Sequence, residues 1–146
     1  MTRLYLAGPL FCQSERDYNI RLRDALSAEG YELVLPQEND FKINTAKMAT
    51  NQDYRDAATM MVFQADMEML DSCDAVVFIM DGRVPDEGGC VEIGYAYAKG
   101  KECFGLKTDV RTAEFGTDNM MIGGVLKLRV AASVSELIGF LKESGL

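Results

Sequence analysis

The chain has 146 residues, 48% of them hydrophobic, with 23 acidic against 15 basic side chains and a formal charge of −8. That length and apolar content suit a single domain over residues 1–146, while the charge argues against nucleic acid or an anionic membrane as partner, since both need clustered Lys and Arg. With no histidine anywhere, a Ser-His-Asp triad, a Cys-His pair and a His-ligated zinc site are excluded, and proton transfer falls to carboxylates, Tyr, Lys or Cys.

Arg3 to Ala7 reads as a first strand, which Gly8-Pro9 ends with turn chemistry that cannot continue a ladder. Ser14 with Asp17 resembles a capping box, and Tyr18, Leu22, Ala25 and Leu26 recur at helical spacing up to Gly30. Tyr31 to Leu35 is a second strand, closed by Pro36. From there to about Gln52 the sequence is polar and irregular, a longer loop than a compact domain needs unless it covers a site. A helix is expected from about Tyr54 to Ser72, with Thr59, Val62, Phe63, Asp66, Met69, Leu70 and Cys73 on one face. Met60, Met61, Met67 and Met69 are expected to fill the core.

The stretch from Asp74 to Gly100 organises the rest. An apolar run from Ala75 to Met80 leads through a loop containing Gly82 and Pro85 into a small-residue helix that Gly100 can stop. Cys103 to Leu106 is a fourth strand, Lys107 to Thr117 a polar loop, Asp118 to Ile122 a short helical turn and Val125 to Ala131 a fifth strand. Ser133 with Glu136 caps a last helix ending near Gly145. Alternating strands and helices imply an α/β, doubly wound five-stranded parallel sheet in the flavodoxin-like order 2-1-3-4-5, with helices on both faces. No apolar run approaches the roughly 20 residues of a membrane span, the N-terminus has no signal-like segment, and the four cysteines form no C-x-x-C pair. A cytoplasmic protein with reduced thiols is expected.

In that order the ends of strands 1 and 3 flank the switch point, where ligands bind in such sheets. Asp66, Asp86 and Glu92 can then converge beside Tyr5 and Phe11, and Gly88 and Gly89 permit close approach to the backbone. Carboxylates without histidine suit glycosidic chemistry, in which one attacks the anomeric carbon and another manages the leaving-group proton. Each residue also has a structural reading: Asp86 as a helix cap, Glu92 as a first-turn acid favoured and kept ionised by the dipole, Asp66 as a boundary residue with a polar partner, and Tyr5 as core. Cys90, with no histidine to pair it, is a weak nucleophile candidate. Asp86-Glu-Gly-Gly-Cys-Val-Glu92 has neither Walker spacing nor G-x-G-x-x-G, so a phosphate-cradling loop is not expected.

Four segments, Tyr5-Leu-Ala-Gly-Pro-Leu-Phe11, Asp66, Pro85-Asp-Glu-Gly-Gly-Cys-Val-Glu-Ile-Gly-Tyr-Ala96 and Asp118-Asn119, resemble in order the nucleoside 2-deoxyribosyltransferase family. The resemblance implies transfer of 2-deoxyribose between nucleobases by retaining double displacement. It makes Glu92 the nucleophile, Tyr5 the residue that orients it, and Asp66 and Asp86 the acids that handle the base proton or hold the sugar. It also implies an oligomer, at least a dimer, in which Asn119 reaches a neighbouring subunit's site. Together these readings give Glu92, Asp66, Asp86 and Tyr5 as catalytic residues and Gly8, Phe11, Gly88, Asn119 and Met121 as substrate-binding residues. No metal or cofactor is expected, and the partners are small deoxynucleosides and nucleobases. Relatives that hydrolyse deoxynucleoside monophosphates use a Ser/Arg-rich first loop. Here only Ser14 and Arg16 stand in it, so a free 5′-hydroxyl is expected. An N-glycosidase and a non-catalytic nucleoside-binding module are the alternatives.

Overall fold

A computed structural model describes residues 1–82, 84–113 and 115–146; Arg83 and Glu114, in the two expected loops, lie outside the described residues. The elements are β1 (Thr2–Ala7), α1 (Gln13–Ser27), β2 (Tyr31–Val34), a 3-10 turn (Pro36–Glu38), α2 (Thr45–Thr50) and α3 (Gln52–Asp71). There follow β3 (Ala75–Ile79), α4 (Glu87–Ala98), β4 (Glu102–Leu106), α5 (Met120–Val125), β5 (Val130–Ala131) and α6 (Val134–Glu143). The strands form one parallel sheet in the order β2-β1-β3-β4-β5, as expected from the sequence.

Both faces of the central strands are covered, which is why β3 is an unbroken apolar run. Strand alternation sorts two cores. Leu4, Leu6, Val77 and Ile79 pack with Leu22 and Leu26 of α1 and Leu137 and Leu141 of α6. Tyr5, Ala7, Val76 and Phe78 face the opposite way and pack with Leu70 of α3 and Ile93 and Ala96 of α4. Because β1 continues to β2 on one side and β3 lies on its other, the carboxyl ends of β1 and β3 open onto a common crevice.

Several local expectations change. Ser14 and Asp17 do not cap α1; Cys12 is its N-cap, and the Glu15 carboxylate accepts from the N–H groups of Phe11 at 2.7 Å and Cys12 at 3.0 Å. The expected loop from Pro36 to Gln52 contains a 3-10 turn and α2, started by Asn44, whose side chain accepts from Lys47 N at 3.0 Å. Asn51 caps α3 in the same way through Tyr54 N at 2.9 Å. The fifth strand is only Val130–Ala131. Val125 ends α5 instead, and Lys127 and Leu128 take left-handed backbone while Leu128 N bonds Gly123 O at 2.9 Å and Lys127 N bonds Gly124 O at 3.0 Å. That Schellman closure uses residues whose side chains read as a strand. Met60 and Met61 are exposed rather than core-filling, because the first half of α3 stands off the sheet. Its Val62 and Phe63 line an open apolar recess with Ile43 and Met48.

Candidate active site

Glu92 is held from the sheet. Tyr5, on the α4 side of β1 and 0% exposed, donates its hydroxyl hydrogen to Glu92 Oε1 at 2.6 Å. The contact depends on how closely α4 lies against the strands. A Cβ on Gly89 would sit 2.4 Å from Phe78 Cε2 and 3.3 Å from Gly8 N. Gly8 itself turns the chain out of β1 at φ +140°, and a Cβ there would lie 3.0 Å from Ile79 Cβ. The close backbone approach therefore belongs to Gly89, while Gly88 is exposed at the start of α4.

Asp86 is the N-cap of α4, its Oδ2 accepting from Gly89 N at 2.7 Å. Glu92 is the sixth residue of that helix, past the first turn in which the macrodipole acts. The expectation that the dipole keeps it ionised is accordingly not met. Burial pushes its carboxyl up to about 7, the Tyr5 hydrogen bond opposes this, and the charges of Asp66 and Asp86 reinforce it. Tyr5 is pushed upward as well, by burial first and then by Glu92, so it stays a donor.

Asp66 projects from α3 into a cavity of about 310 Å³ shared with Leu10, Arg16, Gln37, Phe41 and Val62. Burial raises its carboxyl above the ordinary value, and its Oδ1 is buried with no hydrogen-bond partner among the described residues. A buried polar atom left unpaired is costly, and a ligand that supplies the missing partner removes the cost. Phe11 stands 73% exposed in the loop between β1 and α1.

Asn119 and Met121 are not brought into that cavity within one chain. Asn119 is the N-cap of α5, its Oδ1 accepting from Met121 N at 3.0 Å and Ile122 N at 3.3 Å. Met121 is 79% exposed, and both residues border a separate recess of about 280 Å³. The neighbouring loops are fastened by two carboxylates that sequence reading passed over. Asp81 accepts from Thr108 N at 2.6 Å and Asp109 N at 2.9 Å, and Asp109 accepts from Gly82 N at 2.9 Å. Asn19 and Gln37 were also missed. The signal for Asn19 was its spacing, since Asn19, Leu22 and Leu26 fall on one buried face of α1. Among the described residues no three His, Cys, Asp or Glu side chains come together as a metal-binding set, and no helix is long and apolar enough to cross a membrane.

The family model for nucleoside 2-deoxyribosyltransferase matches residues 4–132. A search of curated proteins found no match. Among solved structures, a conserved protein of Enterococcus faecalis V583 is 30% identical, with 99% of each chain covered and a TM-score of 0.76. The 2-deoxyribosyltransferase of the psychrotolerant bacterium Bacillus psychrosaccharolyticus is 18% identical over 94% of this chain and 90% of that one, with a TM-score of 0.70. A CMP N-glycosidase of Clostridium botulinum is 18% identical over 98% and 99% of the two chains, with a TM-score of 0.55. With nearly its whole length matched by the family model, the chain belongs to the nucleoside 2-deoxyribosyltransferase family.

Proposed function

We propose that the protein transfers 2-deoxyribose between nucleobases through a covalent deoxyribosyl-enzyme on Glu92. The observation that carries this reading is the half-buried Glu92 carboxyl, oriented by Tyr5 at 2.6 Å, with Asp66 and Asp86 near enough for their charges to act on it. Glu92 and Asp66 are half-buried carboxyls, and two such groups acting on one site do not both ionise cheaply, so they divide their roles. Burial raises the carboxyls of both Glu92 and Asp66; the Tyr5 hydrogen bond opposes this at Glu92 alone, which supports Glu92 as the one of the two that reacts ionised. That division suits a nucleophile and a general acid.

In the first step a Glu92 oxygen bonds to C1′ as the C1′–N bond breaks, the electron pair leaving on the base nitrogen and Asp66 supplying its proton. In the second, a nitrogen of another base bonds to C1′, the sugar–Glu92 ester bond breaks, and the incoming base returns its proton to Asp66. Two inversions retain the configuration. A 2-deoxy sugar lacks the electron-withdrawing 2′-hydroxyl, so positive charge develops more readily at C1′ and a carboxylate suffices.

Asp86 caps the α4 N-terminus with its own carboxylate, in the position where an anionic group would otherwise be favoured. That supports substrates with a free 5′-hydroxyl over nucleotides such as the CMP of the Clostridium botulinum relative. Asn119 keeps its amide N–H₂ unused among the described residues and stands exposed beside Met121, which supports a homo-oligomer in which it completes a neighbour's site.

Incubating a 2′-deoxynucleoside with a second nucleobase is expected to give the exchanged nucleoside. Free deoxyribose released at an undiminished rate, with no exchanged nucleoside, would instead assign hydrolysis.

A further inference from the structure

Asn19 is the one polar side chain in the core of the described residues, 4% exposed, and it holds together two segments that are far apart in sequence. Its Nδ2 donates to Pro9 O at 3.2 Å and to Gln37 Oε1 at 2.8 Å. Gln37 Nε2 in turn donates to Arg16 O at 3.1 Å. The chain of bonds therefore begins and ends on main-chain carbonyls, which can only accept. That fixes its polarity. Turning over the Asn19 amide would set its oxygen against Pro9 O, and turning over Gln37 would set its oxygen against Arg16 O, so neither carboxamide can flip without facing like with like.

Gln37 is thereby locked with half of its capacity used. A carboxamide has two acceptor sites on oxygen and two donor hydrogens on nitrogen. Asn19 and Arg16 O take one of each, leaving one acceptor site on the oxygen and one donor hydrogen on the nitrogen. Gln37 is half-buried and lines the same cavity of about 310 Å³ as Asp66, a volume at the lower end of small-ligand sites, about 300–1,000 Å³. A nucleobase fits such a space.

Resting on the reading that this cavity takes the base, we propose that Gln37 is a specificity-determining contact that reads the polar edge of the base, and that Asn19 is the positioning residue that sets its polarity. A base edge offers either an amino donor next to a ring-nitrogen acceptor, as in adenine and cytosine, or an oxo acceptor next to a ring N–H, as in hypoxanthine and uracil. A free carboxamide rotates to suit both, as Asn and Gln do when they pair bidentately with an amide-like edge. A locked one matches a single order. The base cannot turn over in compensation, because its glycosidic nitrogen must stay at the sugar carbon facing Glu92. The mismatched order sets donor against donor and leaves buried groups unpaired, so two bases of equal size separate at least about fivefold.

The test measures kcat/KM for exchange into adenine against hypoxanthine and into cytosine against uracil, together with calorimetric binding of the four free bases to the full chain. The wild type is expected to favour one member of each pair at least about fivefold. Gln37→Met keeps the length of the side chain and removes both polar atoms, and it is expected to bring each ratio to within about twofold. Gln37→Glu presents acceptors alone, which meet one donor and one acceptor on either kind of edge, and is expected to lower binding of all four bases while bringing each ratio to within about twofold. Asn19→Leu releases Gln37 and is expected to flatten the ratios as Gln37→Met does, with circular dichroism establishing that it is folded; should it unfold, the two Gln37 variants decide the matter alone. A merely structural role for Gln37 would alter stability and overall rate but not the ratios. Wild-type ratios near one, or ratios unchanged in Gln37→Met while exchange continues, would overturn the inference and leave deoxyribosyl transfer standing. Loss of exchange in the wild type would overturn the transfer reading, and the base-binding ratios would then still judge Gln37.

Discussion

Replacing Glu92 by Gln should stabilise the fold at alkaline pH even as it abolishes turnover. Burial raises the carboxyl from an ordinary 4.5 to about 7, and at about 1.4 kcal/mol per pH unit the ionised form is roughly 3 kcal/mol less favourable in the folded chain than in the unfolded one. Below about pH 4.5 Glu92 is neutral in both states, and the native protein carries no penalty. Between about 4.5 and 7 the unfolded chain loses its proton while the folded chain keeps it, so stability falls as pH rises. Above about 7 both states are ionised and the full penalty remains. The amide of Glu92→Gln never ionises, and its oxygen can still accept from Tyr5. At this chain length each kcal/mol moves Tm by about 2–4 °C, so the variant should melt about 6–12 °C higher than wild type at pH 8.5, with the gap closing towards pH 5. Thermal unfolding followed by circular dichroism from pH 5 to 8.5 measures this directly. A stability difference independent of pH, or a variant less stable than wild type at pH 8.5, would refute the claim that burial dominates the environment of Glu92.

Tyr5→Phe removes the hydrogen bond that holds the Glu92 carboxyl down, so the acid limb of the pH–rate profile should move to higher pH; an unmoved limb with a lowered kcat would give Tyr5 a different role. Gly89→Ala places a Cβ 2.4 Å from Phe78 Cε2 and should cost about 1–3 kcal/mol in denaturant unfolding, with a larger loss of kcat as α4 is pushed away from Tyr5. Asn119→Asp keeps the oxygen that caps α5 and removes the amide hydrogens. It should impair sugar binding without unfolding the protein, and mixing it with Glu92→Gln should restore activity through hybrid sites if subunits exchange. No recovery after verified exchange would mean that Asn119 acts within its own chain.

The sheet was legible because its signals are strong and local: β3 is wholly apolar, and Gly8-Pro9, Gly30, Pro36 and Gly100 punctuate the elements between strands. Tyr5 and Glu92, 87 positions apart in sequence, were connected through the motifs around them. What was not legible depends on depth and tertiary closure. The pattern at Glu92 shows a helix start but not how far α4 sinks against β1, and depth decides its ionisation. Val125 to Ala131 carries strand-like side chains, yet the hydrogen bonds from Leu128 and Lys127 back to Gly123 and Gly124 close α5 there. Gln37 lies in a stretch that reads as an irregular loop, and its significance emerges only once Asn19 and Arg16 O are seen to hold it.

The central claim is a covalent bond between the sugar and Glu92. A slow-reacting fluorinated 2-deoxynucleoside, in which the electron-withdrawing fluorine retards both steps, can be mixed with the wild-type protein, quenched and followed by peptide mass spectrometry. The expected result is the fluorinated sugar on the peptide containing Glu92, its loss when a second base is added before quenching, and no adduct in Glu92→Gln. Sugar found on Cys90 or Asp86, or a Glu92→Gln variant that exchanges bases at the wild-type rate, would contradict the mechanism.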